Sequence, residues 1–265
     1  MKRTSILVAG VSLAVLLAGC SDSSDSGGSS ASTTTSKAAS TSGAAKSLDL
    51  SKFGTLPPVP APAAATVDCT YPAGQPAAKD VTPPPTSGVS TEGTVPVALT
   101  TSAGPIGLVL DRAEAPCTVN SFTSLAQQGY FDDTPCHRLT TELGLQVLQC
   151  GDPSGKGTGG PGYGFTTEYP ETAFAPNDPA LANPVVYPRG TVAMANSGTP
   201  DSNGSQFFLV YADSVLPPNY TVFGSISEEG LATVEKIAAD GDDGSMAAGG
   251  GKPNTPVQIE TAKVG

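Results

Sequence analysis

Apolar and polar positions alternate along Val95–Thr101 and again along Ile106–Asp111, with Ala103-Gly104-Pro105 between them. A period of two is that of a half-buried strand, so the pair predicts a hairpin. The period then changes. Pro116 opens a stretch in which Val119, Phe122, Leu125 and Ala126 recur at helical spacing, and Gly129 closes it, which predicts a helix. Short apolar runs at Pro135–Leu139, Gln146–Gln149, Thr191–Ala195, Gln206–Tyr211 and Thr221–Ile226 predict further strands. Gly230–Ala239 reads as a second helix and Pro256–Lys263 as a closing strand. About eight strands with two helices make a mainly β fold, best satisfied as a closed antiparallel barrel, because closure leaves no sheet edge. Phe207 and Phe208 are adjacent on one strand and must point to opposite faces. One is expected in the core, the other at a surface pocket.

The N-terminal third has a different texture. Met1-Lys2-Arg3 precedes an apolar run, Ile6–Ala18, of signal-peptide length, which ends in Leu17-Ala18-Gly19-Cys20. That ending looks like a bacterial lipobox. It predicts a lipoprotein signal peptide over 1–19, lipidation of Cys20 and an extracytoplasmic, membrane-anchored chain. Residues 20–66 are rich in Ser, Thr and Ala and then in Pro, with little apolar bulk to offset ordering entropy, and are expected to form a disordered tether. Residues 67–94 are Pro-rich but carry Cys69 and Tyr71, so they are expected to pack as an arm on a domain spanning 95–265.

Charge and cysteines narrow the function. The net charge is −11. Five of the 13 basic and three of the 24 acidic residues precede Asp68, which leaves 8 basic against 21 acidic in the remainder. A phosphate backbone requires the opposite sign, so nucleic acid is not an expected partner. Setting Cys20 aside leaves Cys69, Cys117, Cys136 and Cys150, an even number for an exported chain. Four cysteines allow three pairings, and the sequence does not choose among them. Their places along the chain favour Cys117–Cys136, with Cys69–Cys150 stapling the arm. With no C-x-x-C and a single histidine, His137, no metal site is expected. No G-x-S-x-G accompanies that histidine, which argues against a Ser-His-Asp hydrolase. Gly155–Gly160 fits G-x-G-x-x-G, but Asp152-Pro153 precede it and no helical pattern follows, so no dinucleotide is expected there.

Six short pieces occur in order: His137-Arg138, Gln149-Cys150-Gly151-Asp152-Pro153, Gly157–Tyr163, Met194-Ala195-Asn196, Asn203–Phe208 and Thr221-Val222-Phe223-Gly224. In order and spacing this set resembles the cyclophilin family of peptidyl-prolyl isomerases, from about Val95 to the C-terminus. The resemblance implies a closed eight-stranded antiparallel barrel with a helix over each open end. It also implies catalysis of X-Pro rotation without any cofactor, with proline-containing segments of exported polypeptides as partners. Arg138 matches the family's catalytic arginine, and Gln149 and Asn196 match substrate-positioning residues. Val147, Ala195, Phe208, Leu216 and Tyr220 fall at positions lining the proline pocket. The single histidine matches a structural, hydrogen-bonded one. Gln146 replaces a common phenylalanine, Val215 a common tryptophan and Tyr220 a common histidine, so a shallower pocket is expected. The alternative is a non-catalytic module or chaperone that holds proline segments in the same groove. A monomer is expected.

Overall fold

The computed structural model describes residues 47–265. Cys20, the signal segment and the tether up to residue 46 lie outside the described residues. Strands β1 (Gly54–Thr55), β2 (Thr66–Val67) and β3 (Val89–Ser90) precede the hairpin β4 (Thr94–Thr101) and β5 (Gly104–Asp111). Helix α1 (Pro116–Gln127) leads to β6 (Thr134–Pro135), β7 (Arg138–Glu142) and β8 (Leu145–Cys150). Then come β9 (Val185–Tyr187), β10 (Thr191–Met194), β11 (Phe207–Val210), β12 (Ser214–Leu216) and β13 (Val222–Ile226). Helix α2 (Glu228–Ala239) and β14 (Gln258–Val264) complete the chain.

Nine of these strands form one curled sheet in the order β6-β14-β4-β5-β13-β10-β11-β8-β7. The expected barrel had eight strands and a closing pair. Here the predicted strand Pro135–Leu139 is split into β6 and β7 at Cys136-His137, so it supplies both outer strands of the order, with no ladder between them. On β4 every second residue is buried, and the same inward face continues through β5. Phe122 of α1 enters this concave face and packs against Phe131, Phe207 and Phe223, with ring centroids 4.7, 5.2 and 5.4 Å away. Phe207 therefore faces the core, as one of the two adjacent aromatics must. The other, Phe208, joins a separate apolar cluster with Val147, Tyr169, Val185, Tyr187 and Val210.

Helix α1 begins with Pro116 and has no side-chain cap on Ala115. A residue far along the chain supplies one. Glu168 accepts hydrogen bonds from the N–H groups of Cys117 (3.0 Å) and Thr118 (2.8 Å) and from Thr118 Oγ1 (2.6 Å). Its carboxylate thus sits at the positive end of the helix. Helix α2 begins two residues before the predicted start, where Ser227 Oγ accepts the Gly230 N–H at 3.1 Å.

The disulfides differ from the favoured pairing. Cys69 bonds Cys117, and Cys136 bonds Cys150. Cys136 and Cys150 flank the β7–β8 hairpin, one strand end facing the other, whereas Cys117 at the helix start faces outward towards the arm. The arm is also held by Tyr71, whose hydroxyl donates to the Cys117 carbonyl (2.8 Å), and by the Gly74 N–H, which donates to Gly162 O (2.9 Å). Further upstream, within the stretch expected as tether, β1 pairs in parallel with β9. Leu56 packs against the Phe208 cluster, and the Pro57 carbonyl accepts from Tyr169 Oη at 2.7 Å. An isolated leucine among prolines provides that anchor, too little apolar surface for a sequence window to register. Together β1, β9 and β12 make a second, three-stranded sheet.

Candidate active site

Four strands bring the expected residues onto one face by register alone. Arg138 of β7 pairs with Gln149 of β8, Gln149 with Phe208 of β11, and Phe208 with Ala193 of β10. Directly paired residues share a face of a pleated sheet, and neighbouring strands lie about 4.8 Å apart, so Arg138 and Phe208 are roughly 10 Å apart at the backbone. The face is the outer one, because Leu148 and Phe207 beside them point into the core.

Arg138 is half-buried and takes part in no ion pair among the described residues. Its Nη1 donates to Gln149 Oε1 (3.3 Å), its Nε to Gly249 O (3.1 Å) and its Nη2 to Ala248 O (3.0 Å). Burial pulls its pKa down from the ordinary arginine value, yet a guanidinium stays charged in a protein. The site therefore presents one uncompensated positive charge whose hydrogen-bond partners are all neutral.

Gln149 continues the network. Its Nε2 donates to Gln206 Oε1 (2.9 Å), and Gln206 Nε2 donates to Gly159 O (3.0 Å) in the glycine-rich loop. That loop is held by Asp152, which is fully buried and accepts from Ser154 N (2.8 Å), Ser154 Oγ (2.9 Å), Thr158 N (3.1 Å) and Gly159 N (3.0 Å). Burial alone would raise its pKa, but these hydrogen bonds outweigh it and leave the carboxylate below its usual range. Gln206 and Asp152 lie within the short pieces that carry the resemblance, but the sequence alone assigns them no role. An Asp two residues before Ser154 and five before Gly157, where the glycine-rich loop begins, is the available signal.

Beside the arginine lies the apolar cluster. Val147 (2% exposed) and Phe208 (4%) form its floor, with Ala195, Leu216 and Tyr220 partly buried around it. Phe208 and Tyr220 meet edge to face at 5.7 Å. The Asn196 side chain turns back onto neighbouring backbone. Its Nδ2 donates to Asn219 O (2.7 Å) and its Oδ1 accepts from Gly198 N (3.0 Å), so the side chain is committed to the turn. Its main-chain N–H and C=O have no partner among the described residues, and they border a groove walled by the 157–164 loop, the 199–206 loop and Pro72–Gln75 of the arm. His137 is buried, as a structural histidine should be, but neither ring nitrogen has a hydrogen-bond partner among the described residues. Burial pushes its pKa down, and among the described residues no serine hydroxyl or aspartate carboxylate is hydrogen-bonded to it as a Ser-His-Asp arrangement requires.

Comparison with known proteins agrees with this geometry. Residues 96–264 match the family described as cyclophilin type peptidyl-prolyl cis-trans isomerase. The chain is 58% identical over 202 residues to a probable peptidyl-prolyl cis-trans isomerase B of Mycobacterium leprae, covering 75% of this chain and 67% of that one. It is 55% identical over 208 residues to a protein of the same name from Mycobacterium tuberculosis, covering 77% and 66%. The chain thus spans about two thirds of the length of these relatives. Among solved structures, a cyclophilin type isomerase of Cryptosporidium parvum superposes with a TM-score of 0.52 at 28% identity, covering 65% of this chain and 98% of that one. The same isomerase, crystallised in the presence of the dipeptide Ala-Pro, gives a TM-score of 0.50 at 29% identity, with 64% and 98% covered. The chain belongs to the cyclophilin-type peptidyl-prolyl cis-trans isomerase family.

Proposed function

We propose that this chain rotates X-Pro bonds of exported polypeptides at the outer face of the cell membrane, held there by lipid on Cys20. The observation that carries the reading is the charged Arg138, with no carboxylate partner among the described residues, on the same sheet face as the apolar floor formed by Val147 and Phe208. An X-Pro amide resists rotation by about 18–20 kcal/mol because its C–N bond is partly double. Nothing is broken or transferred. As the amide twists, its nitrogen regains a lone pair, and a guanidinium fixed beside it stabilises that state more than the planar one. The apolar floor seats the proline ring, with Ala195, Leu216 and Tyr220 as its sides. The unpaired N–H and C=O of Asn196 would hold the substrate backbone as a strand edge does, and Gln149 steadies the arginine. The chemistry requires no cofactor.

The test uses the full chain and a proline peptide whose uncatalysed isomerisation takes tens of seconds. Wild type should accelerate it, and Arg138→Ala should lower kcat/KM about tenfold or more, the worth of one charged interaction present only in the twisted state. Equal rates for the two proteins overturn the assignment. Binding without turnover in both moves the site to the alternative, a module that only holds proline segments. Cys20→Ser should move the protein out of the membrane fraction, and a variant that is processed yet stays there refutes the anchoring.

A further inference from the structure

The segment between α2 and β14 is rich in Gly and Asp with a single Met, and it holds turns rather than regular structure. It is nevertheless firmly built. Asp243 Oδ1 accepts from Ser245 N (3.0 Å) and Lys252 N (2.8 Å), and the Asp243 N–H donates to Lys252 O (3.0 Å). Inside this clasp, Met246 N donates to Gly250 O and Gly249 N donates to Met246 O, both at 3.0 Å. The loop then docks on β7. Leu139 N donates to Gly251 O (2.8 Å), Gly251 N to Leu139 O (3.0 Å), and Thr141 Oγ1 to Asp242 Oδ2 (2.9 Å). Gly250 has φ of +69°, and a Cβ there would overlap the Leu139 carbonyl oxygen. Only glycine lets the loop lie this close to the strand.

Docking brings the Ala248 and Gly249 carbonyl oxygens against Arg138. We propose that the Gly241–Lys252 loop is a positioning element for isomerisation, its Ala248 and Gly249 carbonyls fixing the Arg138 guanidinium in its working orientation. The proposal rests on reading Arg138 as the group that meets the substrate. A guanidinium has five N–H groups in a rigid fork. Gly249, Ala248 and Gln149 take three of them, which leaves one on each terminal nitrogen for the substrate. A carboxylate in the loop's place would orient the fork equally well but would cancel the charge that the twisted amide needs. Two carbonyls orient it and leave the charge intact. The long side chain is thereby ordered before the peptide arrives, so the reactive step carries none of that ordering cost.

The experiment is Gly250→Ala in the full chain, with and without Arg138→Ala. Undocking the loop should lower kcat about tenfold while KM for the peptide changes less than about twofold, and it should cost nothing further once Arg138 is gone. The Arg138 Nε–H proton should exchange with water faster in Gly250→Ala than in wild type. Asp243→Ala, which opens the clasp without adding bulk at the strand, should behave like Gly250→Ala, and Asp243→Asn, which keeps an acceptor oxygen, should restore most of the rate. If Gly250→Ala does not fold, Asp243→Ala carries the same comparison. An equal loss in both Arg138 backgrounds, or a wild-type rate with the Nε–H protection gone, overturns the proposal. If the wild-type chain does not isomerise proline peptides, the function above fails, while Nε–H exchange still reads the loop's hold on Arg138: protection unchanged in Gly250→Ala overturns that too.

Discussion

Removing the Cys136–Cys150 disulfide separates the stability of the site from its geometry. The two sulfurs close a loop with a sequence separation of 14. Releasing a loop of that length returns about 10 cal/mol/K of entropy to the unfolded chain, or about 3 kcal/mol at room temperature. Both cysteines are buried, at 4% and 1% exposure, so alanine is the replacement that leaves no polar atom stranded in the core. With a urea slope of about 2 kcal/mol per molar, the Cys136→Ala/Cys150→Ala protein should unfold about 1.5 M earlier than wild type. The chain has no tryptophan, so far-UV circular dichroism is the suitable signal. Without urea, however, isomerase activity should stay within about threefold, because the register of Arg138 against Gln149 is one of five ladder pairs between β7 and β8 that do not involve the sulfurs. A tenfold loss of activity in a fully folded variant would show that the cross-link sets the arginine's position. A shift under about 0.3 M would refute the loop-entropy reasoning.

Two further outcomes are expected. Glu114, beside the start of α1, has its pKa raised to about 7 by burial and by the nearby Asp111 charge, and its Oε2 has no partner among the described residues. The folded state therefore binds this proton more tightly than the unfolded one, so the stabilisation is complete below pH 4.5 and is lost as pH rises from 4.5 to about 7. Glu114→Gln should match wild type near pH 4 and exceed it by as much as about 3 kcal/mol at pH 8 in urea unfolding; identical pH responses would contradict this. Gln206→Ala breaks the link between Gln149 and the glycine-rich loop and should slow isomerisation by about three- to tenfold with a small change in urea midpoint, whereas an unchanged rate would show that the link is idle.

The sequence made the site more legible than the scaffold around it. Arg138, Gln149 and Phe208 stand out through the order and spacing of the six short pieces that resemble the family, whereas alternation alone says that Phe207 and Phe208 face opposite ways and not which of them meets the core. Strand β9 went unread because three apolar residues between Pro184 and Pro188 carry no period. The two-residue β1 is too short to have one. The disulfide pairing depends on which faces meet in space, and spacing along the chain does not encode that. Glu168 caps a helix that begins 52 positions earlier, a relation no local motif announces. The carbonyls around Arg138 are the least visible of all, since every residue has one and only the fold decides where it points.

The covalent tie between the arm and α1 bears on how the protein can be divided. The family match spans 96–264, while Cys69 lies upstream of it. A fragment cut at that boundary would hold three cysteines: the Cys136–Cys150 pair and a widowed Cys117. In an oxidising compartment such a thiol has two outlets, joining a second copy of the fragment or attacking the remaining disulfide next to the arginine strand. Either would make the shortened protein a mixture of covalent species, and its activity would then report on oxidation history as much as on the groove.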